Sequence, residues 1–280
     1  MPFSEAELSS ATFAFLAGLV YDRSRIRLGP DKRALVAGRL ARHLESRGCS
    51  SFDQYCELLR RPGADDEIGT LIDLISTNHT QFFREPAHFD ILARELLPTL
   101  AAHAVAAARS LRIWSAAAAS GEEPYSLAIV LAEQARQTPS LSWEVHASDI
   151  SRRMLDRCRL GIYDADRVRL PDPSLLPRYF RKGFGRREGS VRLKPEIRRR
   201  LAVEHVNLFQ PAYPVPRGLD VVFCRNVMIY FDVESRQELV GRLFDQLAPG
   251  GYLFVGHAES LLGFTHRFET ARPGVYRRPT

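Results

Sequence analysis

Apolar residues recur at helical spacing in the N-terminal part of the chain. Val36, Leu40 and Leu44 fall at positions i, i+4 and i+8 and form one apolar stripe. Ser4 precedes the first apolar run and is predicted to be the N-cap of a first helix. Further helices are predicted over three segments: 31–47, 52–59 and 67–75. We therefore predict a small all-helical domain over residues 1–76.

From residue 111 onward, short apolar runs of strand length alternate with segments of helix length. The predicted strands are 111–117, 143–148, 202–206, 219–224 and 252–256. The predicted helices are 122–136, 152–160 and 233–247. This alternation predicts an α/β fold, a doubly wound and mostly parallel sheet with helices on both faces. Segments 264–269 and 275–278 predict a closing hairpin that adds an antiparallel edge strand.

The alternation is interrupted between residues 175 and 200. Gly183, Gly185 and Gly189 are interspersed with arginines in this stretch, and prolines precede it. Closely spaced glycines favour tight turns over a crossover helix. We predict a small inserted antiparallel β-subdomain over residues 175–200.

The turn after the first predicted strand contains only small side chains. It reads SAAAASG, and the helix that follows begins with Glu122 and Glu123. Small residues at a strand-to-helix turn allow a ligand to approach the backbone closely. Dinucleotide sites place a pyrophosphate at such a helix N-terminus, whereas two carboxylates there repel a phosphate. The pattern therefore favours a cationic nucleoside without phosphate, and S-adenosylmethionine is such a molecule.

Polar residues follow the next two predicted strands, and ligands of open α/β sheets bind at the carboxyl ends of the strands. Asp149 is placed to accept hydrogen bonds from ribose hydroxyls. The alternative is that it caps the helix 152–160, although Ser151 is also able to do so. Asn207 can donate to and accept from an adenine edge, and the alternative is an ordinary turn residue.

The fourth strand end carries the polar pair Arg225 and Asn226. A polar pair directly after a hydrophobic strand is poorly explained by core packing, and it lies where a substrate approaches the cofactor. Tyr230 follows in a short turn with its hydroxyl available for a hydrogen bond. The alternative for Tyr230 is packing under a loop.

A segment outside the sheet, residues 77–90, links the helical domain to the α/β domain. Its polar residues precede Phe82 and Phe83, which suits a segment that packs by its aromatic rings while polar groups face a cleft. Arg84 is then predicted to point into the site. The alternative is a surface salt bridge between Arg84 and Glu85.

Charge and cysteine content narrow the choice of partner and compartment. The chain has 280 residues, a net charge of +6 and a pI near 9.3, so an acidic partner is expected. Few aromatics interleave with the arginines, which argues against nucleic acid. One side of the helix 31–47 is predicted to be a basic face, formed by Lys32, Arg39, Arg42 and His43.

Four scattered cysteines predict reduced thiols rather than a zinc site. No apolar run has membrane-spanning length, so a cytoplasmic protein without membrane insertion is expected.

Six segments, in order, extend over nearly the whole chain: TNHTQFFRE, RIWSAAAASGEEPYSLA, ASDIS, GIY, FCRNVMIYFD and LAPGGYLFVGHAESL. Together they resemble the chemotaxis receptor glutamate methyltransferases, the CheR family. The resemblance implies a class I S-adenosylmethionine-dependent methyltransferase domain over residues 91–280, with the segment 77–90 contributing to the cofactor site. It also implies that glutamates of transmembrane chemoreceptors are converted to γ-methyl esters, with S-adenosylhomocysteine as the second product and no metal.

The resemblance implies roles for individual residues. Arg84 and Tyr230 match positions implicated in catalysis. The implied cofactor contacts are Asn78, Thr80, Arg84, Glu123, Asp149, Asn207, Leu208, Arg225 and Asn226. One departure is Ala119-Ser120, where many members have Ser-Thr, and both exchanges keep the side chains small.

The implied partners are the glutamate-rich cytoplasmic methylation helices of chemoreceptors, which the basic face would align. The Gly183–Gly185 loop also resembles that of members which dock on a receptor's C-terminal peptide tail. A monomer is expected. Two other functions compete: a nucleic-acid methyltransferase, whose N/D-P-P-Y/F motif is absent, and a non-catalytic adapter, against which the intact motif residues argue.

Overall fold

The computed structural model describes residues 8–280, which divide into two compact units. The described residues up to Thr77, together with Tyr230–Ser235, form a helical unit. Residues Asn78–Ile229 and Arg236–Thr280 form an α/β unit.

The helical unit is built from short helices that begin at serine caps or follow tight turns. Its helices are α1 (Ser10–Ser24), α2 (Arg33–Ser46), α3 (Phe52–Leu59) and α4 (Asp65–Ile75), with a 3₁₀ turn at Pro30–Lys32 before α2. The Ser9 hydroxyl caps α1 by accepting from the Thr12 N–H at 3.1 Å. The predicted cap Ser4 lies outside the described residues. The predicted apolar stripe of α2 is buried.

The predicted basic face of α2 is only partly a solvent-facing surface. The Arg39 guanidinium donates to the carbonyl of Ile75 and, at 3.1 Å, to that of Ser76 at the C-terminus of α4. His43 contacts the Glu67 carboxylate at 2.5 Å. Helical spacing places these side chains on one side but does not reveal that the last carbonyls of α4 need a donor. Lys32 and Arg42 remain exposed.

The α/β unit contains a seven-stranded sheet in the order β6-β2-β1-β7-β8-β10-β9. Its strands are β1 (Leu111–Ala116), β2 (Trp143–Asp149), β6 (Leu201–His205), β7 (Leu219–Cys224), β8 (Leu247–Phe254), β9 (Glu269–Arg272) and β10 (Val275–Arg277). All pairings among β6, β2, β1, β7 and β8 are parallel, and β10 pairs antiparallel with β8 and β9. The predicted doubly wound, mostly parallel sheet is confirmed.

The closing hairpin is offset from its predicted position. Its first strand is Glu269–Arg272 rather than 264–269. Gly274 has φ = 70°, and the chain reverses in the two residues Pro273 and Gly274 between the strands. Strand β8 also begins earlier than predicted, at Leu247.

Helices of the α/β unit connect and cover the strands. They are α5 (Pro86–Asp90), α6 (Leu97–Ala106), α7 (Glu122–Gln137), α8 (Arg152–Leu160), α9 (Leu175–Tyr179), α10 (Pro195–Arg198) and, from Arg236 onward, α11 (Val233–Gln246), with a π-helical stretch at Ile91–Leu96 between α5 and α6. Helix α7 packs against β1 and β2, and α8 packs against β2 and β6. Among the residues that the structure describes, no helix has the length and apolar composition needed to cross a membrane.

A second, three-stranded antiparallel sheet has the order β3-β5-β4. Strands β4 (Phe180–Lys182) and β5 (Ser190–Leu193) lie within the predicted subdomain 175–200. Strand β3 (Ile162–Asp164) lies before it in the chain. The turn between β4 and β5 carries the exposed ring of Phe184, which is 86% accessible.

Candidate cofactor site

The small-residue turn after β1 has a backbone that favours residues without bulky side chains. Ala117 and Ala119 have φ angles of 71° and 46°, and Gly121 has φ = 101°. Such left-handed conformations are disfavoured for residues with a Cβ and cluster at functional sites. A Cβ at Gly121 would lie 2.7 Å from Cys158 Sγ, so this position requires glycine on steric grounds as well.

Asp149 at the end of β2 fastens this turn. Its Oδ2 accepts from the Ala119 N–H at 2.8 Å, and its Oδ1 accepts from the Ser151 N–H at 2.9 Å. Ser151, not Asp149, caps α8, because its hydroxyl accepts from the Met154 N–H at 3.1 Å. The helix-cap alternative for Asp149 is therefore wrong, and its role in ribose binding stays a prediction.

The acidic start of α7 lies beside the same turn. Helix α7 begins at Glu122, and the Glu123 carboxylate accepts from the Ser115 hydroxyl at 2.8 Å. Burial raises the pKa of Glu123, although Arg225, at 3.2 Å, favours the ionised form. Burial likewise raises the pKa of Glu122. This end of the sheet is therefore lined by carboxyl groups.

Arg225 and Asn226 follow β7, as predicted, but the Arg225 side chain is not open to a substrate. The Arg225 side chain is fully buried rather than open to an approaching substrate, and its guanidinium lies 5.6 and 5.7 Å from the ring centroids of Phe89 and Phe223. Sequence reveals the position at the strand end but not the ring pair that encloses it. Asn226 is partly buried and has a left-handed φ of 58°.

The segment after Thr77 packs by its aromatic rings, as predicted. Phe82 is buried and meets the Tyr163 ring edge-on at 4.9 Å between centroids. Arg84 donates to the His79 carbonyl at 2.9 Å, whereas the Glu85 carboxylate binds Arg225. The alternative of an Arg84–Glu85 salt bridge is therefore wrong. The other two predicted contacts of this segment, Asn78 and Thr80, are partly exposed.

Asn207 and Leu208 follow β6. The Asn207 side-chain oxygen accepts from the Phe209 N–H at 2.9 Å, which is the local turn geometry of an Asx residue. Leu208 is buried. The turn alternative for Asn207 is confirmed, and contact with an adenine edge stays a prediction.

Tyr230 ends the 3₁₀ turn Met228–Tyr230 and belongs to the helical unit. Its carbonyl accepts from the Arg27 N–H at 2.9 Å, and the residue is partly exposed. Its predicted catalytic role stays a prediction.

Sequence reasoning missed two carboxylates, Glu85 and Glu259. The Glu85 carboxylate accepts from Arg225 Nη2 at 2.9 Å and from Asn226 Nδ2 at 3.1 Å. The Glu259 carboxylate is 7% exposed and accepts the N–H groups of Asn226 and Met228, both at 2.7 Å. Each glutamate accepts hydrogen bonds from residues that are remote in sequence. The only sequence signal for either is its place in one of the motifs that carry the family resemblance, FFRE for Glu85 and GHAES for Glu259.

Glu85, His88 and His257 have the spacing of metal ligands, with ligand atoms within 4.8 Å of one another. His88 Nδ1 and His257 Nε2 lie 3.4 and 3.9 Å from the same oxygen, Oε2 of Glu85. The Arg225 guanidinium donates to that oxygen at 2.9 Å, so the carboxylate already has a cationic partner that opposes a second cation. Burial lowers the pKa of His88 to about 4, so its imidazole is neutral at pH 7.

Comparison with known proteins identifies the family to which this arrangement belongs. The family model described as CheR methyltransferase, SAM binding domain, matches residues 78–276. The model described as CheR methyltransferase, all-alpha domain, matches residues 11–76. The chain belongs to the CheR methyltransferase family. The predicted resemblance is confirmed, and with it the S-adenosylmethionine-binding methyltransferase domain.

Curated relatives are similar over nearly their full length. The chemotaxis protein methyltransferase of Escherichia coli K12 is 40% identical over 269 residues, which cover 96% of this chain and 91% of the relative. Chemotaxis protein methyltransferase 2 of Pseudomonas aeruginosa is 36% identical over 257 residues, covering 92% and 89%. The chemotaxis protein methyltransferase of Borreliella burgdorferi is 34% identical over 267 residues, covering 94% and 92%.

Proposed function

We propose that this CheR-family chain transfers the methyl group of S-adenosylmethionine to glutamate side chains of chemotaxis receptors and forms γ-methyl esters. The observation that carries the proposal is the arrangement of residues at the carboxyl ends of β1 and β2, which we call the strand-end crevice. There a left-handed small-residue turn is fastened to Asp149 beside the carboxylates of Glu122 and Glu123. Family membership and the names of the curated relatives support the chemotaxis context.

The crevice fits this cofactor for two physical reasons. No side chain of the SAAAASG turn is larger than that of serine, which lets a ligand approach the backbone closely. Carboxyl groups at the N-terminus of α7 favour a cation and disfavour the phosphates that other helix N-termini bind. The residues that we propose as cofactor contacts are Asn78, Thr80, Arg84, Glu123, Asp149, Asn207, Leu208, Arg225 and Asn226.

The proposed methyl transfer needs no acid–base catalyst from the protein. Bound S-adenosylmethionine supplies an electrophilic methyl group on a sulfonium. The substrate carboxylate has an ordinary pKa of about 4.3 and is ionised at neutral pH, so no general base is needed. The side chains of the chain have to orient the carboxylate and exclude water, because opposite charges are neutralised as the new bond forms.

We assign the orienting role to Arg84 and Tyr230. Arg84 is held by the His79 carbonyl at 2.9 Å, which leaves the rest of its guanidinium donors for a ligand. A very tight pair between Arg84 and the substrate carboxylate would stabilise the ground state and slow the reaction. We therefore expect Arg84 to shape the pocket or to orient the carboxylate without binding it tightly.

Receptor recognition is proposed on two surfaces. Lys32 and Arg42, the exposed half of the predicted basic face, would align a glutamate-rich methylation helix. The turn between β4 and β5, with the exposed Phe184 ring and Arg186 and Arg187, would dock a receptor's C-terminal tail. We further propose that the chain acts as a monomer in the cytoplasm.

The test is methyl transfer from labelled S-adenosylmethionine to chemoreceptor-bearing membranes, with RNA as the parallel acceptor. Glutamate methyl esters release methanol in alkali, whereas methylated bases do not. We expect base-labile label on the receptor only. Tyr230→Phe should lower this transfer while leaving S-adenosylhomocysteine binding intact. Alkali-stable label, or label on RNA, would show that the substrate class is wrong.

A further inference from the structure

Two cofactor-side residues after β7 are held by a carboxylate from a distant part of the chain. Glu85 Oε2 accepts from Arg225 Nη2 at 2.9 Å, and its Oε1 accepts from Asn226 Nδ2 at 3.1 Å. Arg225 Nη2 also donates to the Arg84 carbonyl at 2.6 Å. The backbone and side chain of consecutive residues 84 and 85 thus bind both members of the pair.

The backbone at both ends of this contact is strained. Glu85 has φ = 57° and Asn226 has φ = 58°, and residues with a Cβ persist in this region only where their surroundings hold them. Five of the seven described residues of this kind lie in the segments that carry the proposed cofactor contacts: Phe83, Glu85, Ala117, Ala119 and Asn226. Strain concentrated in these segments indicates that their conformation serves ligand binding.

A second carboxylate fixes the backbone of the same turn from its other side. Glu259 Oε2 accepts the N–H groups of Asn226 and Gly256, and Oε1 accepts that of Met228, all at 2.7 Å. The two glutamates therefore hold different parts of the turn. Glu259 holds the main chain of the turn, and Glu85 holds the side chains of Arg225 and Asn226.

We infer that Glu85 is a positioning residue for the cofactor, which it serves through Arg225 and Asn226. This inference rests on the proposed function of the strand-end crevice. Arg225 is fully buried and also contacts Glu123 at 3.2 Å, so the side chain of Glu85 sets where the guanidinium lies between two carboxylates. Burial would by itself raise the pKa of Glu85, but hydrogen bonds from Arg225 and Asn226 outweigh it and lower the pKa, which keeps the carboxylate charged.

The test compares Glu85→Gln with a matched change, Glu95→Gln. Glu95 also pairs with an arginine of the α/β unit, Arg272 at 3.1 Å, but the two side chains are 44% and 58% exposed. We expect Glu85→Gln to weaken S-adenosylhomocysteine binding about 10- to 100-fold in calorimetry, by analogy with the loss seen when a residue that orients a metal-binding side chain is replaced. The KM for S-adenosylmethionine should rise with kcat little changed, since uniform binding is lost. Glu95→Gln should change neither.

A double-mutant cycle separates positioning from general destabilisation. If Glu85 acts through Arg225, Glu85→Gln should have a much smaller effect on binding in an Arg225→Met background than in the wild type. Full additivity of the two changes would overturn the inference, and so would wild-type affinity in Glu85→Gln. Failure of the wild-type chain itself to bind S-adenosylhomocysteine would instead remove the proposed function.

Discussion

Gly121 offers the sharpest test of the small-residue turn, because two separate features of the structure exclude a side chain there. Its backbone has φ = 101° and ψ = 1°, a region that residues with a Cβ rarely adopt. An added Cβ would lie 2.7 Å from Cys158 Sγ and 2.9 Å from Tyr163 Oη. The Tyr163 hydroxyl donates to the Ser120 carbonyl at 2.8 Å and cannot move away without losing that bond. Gly121→Ala therefore forces the turn itself to shift.

The expected effect on the free energy of unfolding has two parts. The left-handed backbone costs about 1–2 kcal/mol once a Cβ is present. Displacement of packed neighbours costs about 1–3 kcal/mol more. Gly121→Ala should thus lower the free energy of unfolding by about 2–5 kcal/mol. The matched change Gly241→Ala lies inside α11, where an added Cβ meets nothing within 4 Å, and should stabilise by up to about 1 kcal/mol.

Urea unfolding measures both variants, and calorimetry with S-adenosylhomocysteine measures the crevice. Because Asp149 holds the turn at Ala119, binding should weaken in Gly121→Ala and not in Gly241→Ala. Adding Cys158→Ala removes the Sγ atom, so the double variant should lose less stability than the sum of the two single changes. Equal unfolding free energies for Gly121→Ala and Gly241→Ala would contradict the steric argument.

Three further outcomes are expected. Asp149→Ala should abolish detectable S-adenosylhomocysteine binding in calorimetry, and unchanged affinity would exclude its proposed contact with the cofactor. His88 has a pKa of about 4 in the folded chain and an ordinary value of 6.5, so only the unfolded chain takes up a proton between these values and stability falls as the pH drops through them. Urea unfolding at about pH 7 and about pH 4 measures this loss: the free energy of unfolding of the wild type should fall by about 3 kcal/mol more than that of His88→Phe. Equal losses would show that His88 is not buried in its neutral form. Arg42→Glu should raise the receptor KM without changing S-adenosylhomocysteine affinity, and an unchanged receptor KM would exclude this residue from receptor alignment.

Local patterns predicted most of the elements, because their signals lie within each segment. Helices 52–59 and 152–160 and strand 219–224 have the predicted bounds. Each combines a clear apolar pattern with a local boundary such as the capping serines Ser51 and Ser151. The parallel sheet followed from the alternation of such segments.

Features that depend on contacts across the fold could not be read from the sequence. Strand β5 pairs on one side with β3, which lies well before the glycine-rich stretch in the chain. The position of Arg39 depends on the carbonyls of α4, and the burial of Arg225 depends on the ring of Phe89, which is distant in sequence, as well as on that of the nearby Phe223. Glu85 and Glu259 were missed for the same reason, since their partners are identified only once the chain has folded.

Binding by the crevice can be measured directly by titrating the chain in a calorimeter with S-adenosylhomocysteine and, in parallel, with NAD. The small-residue turn and the carboxyl groups at the start of α7 predict saturable binding of S-adenosylhomocysteine, lost in Asp149→Ala, and no binding of the phosphate-bearing dinucleotide. Equal affinity for both molecules, or no uptake of S-adenosylhomocysteine, would contradict a site built for a phosphate-free nucleoside.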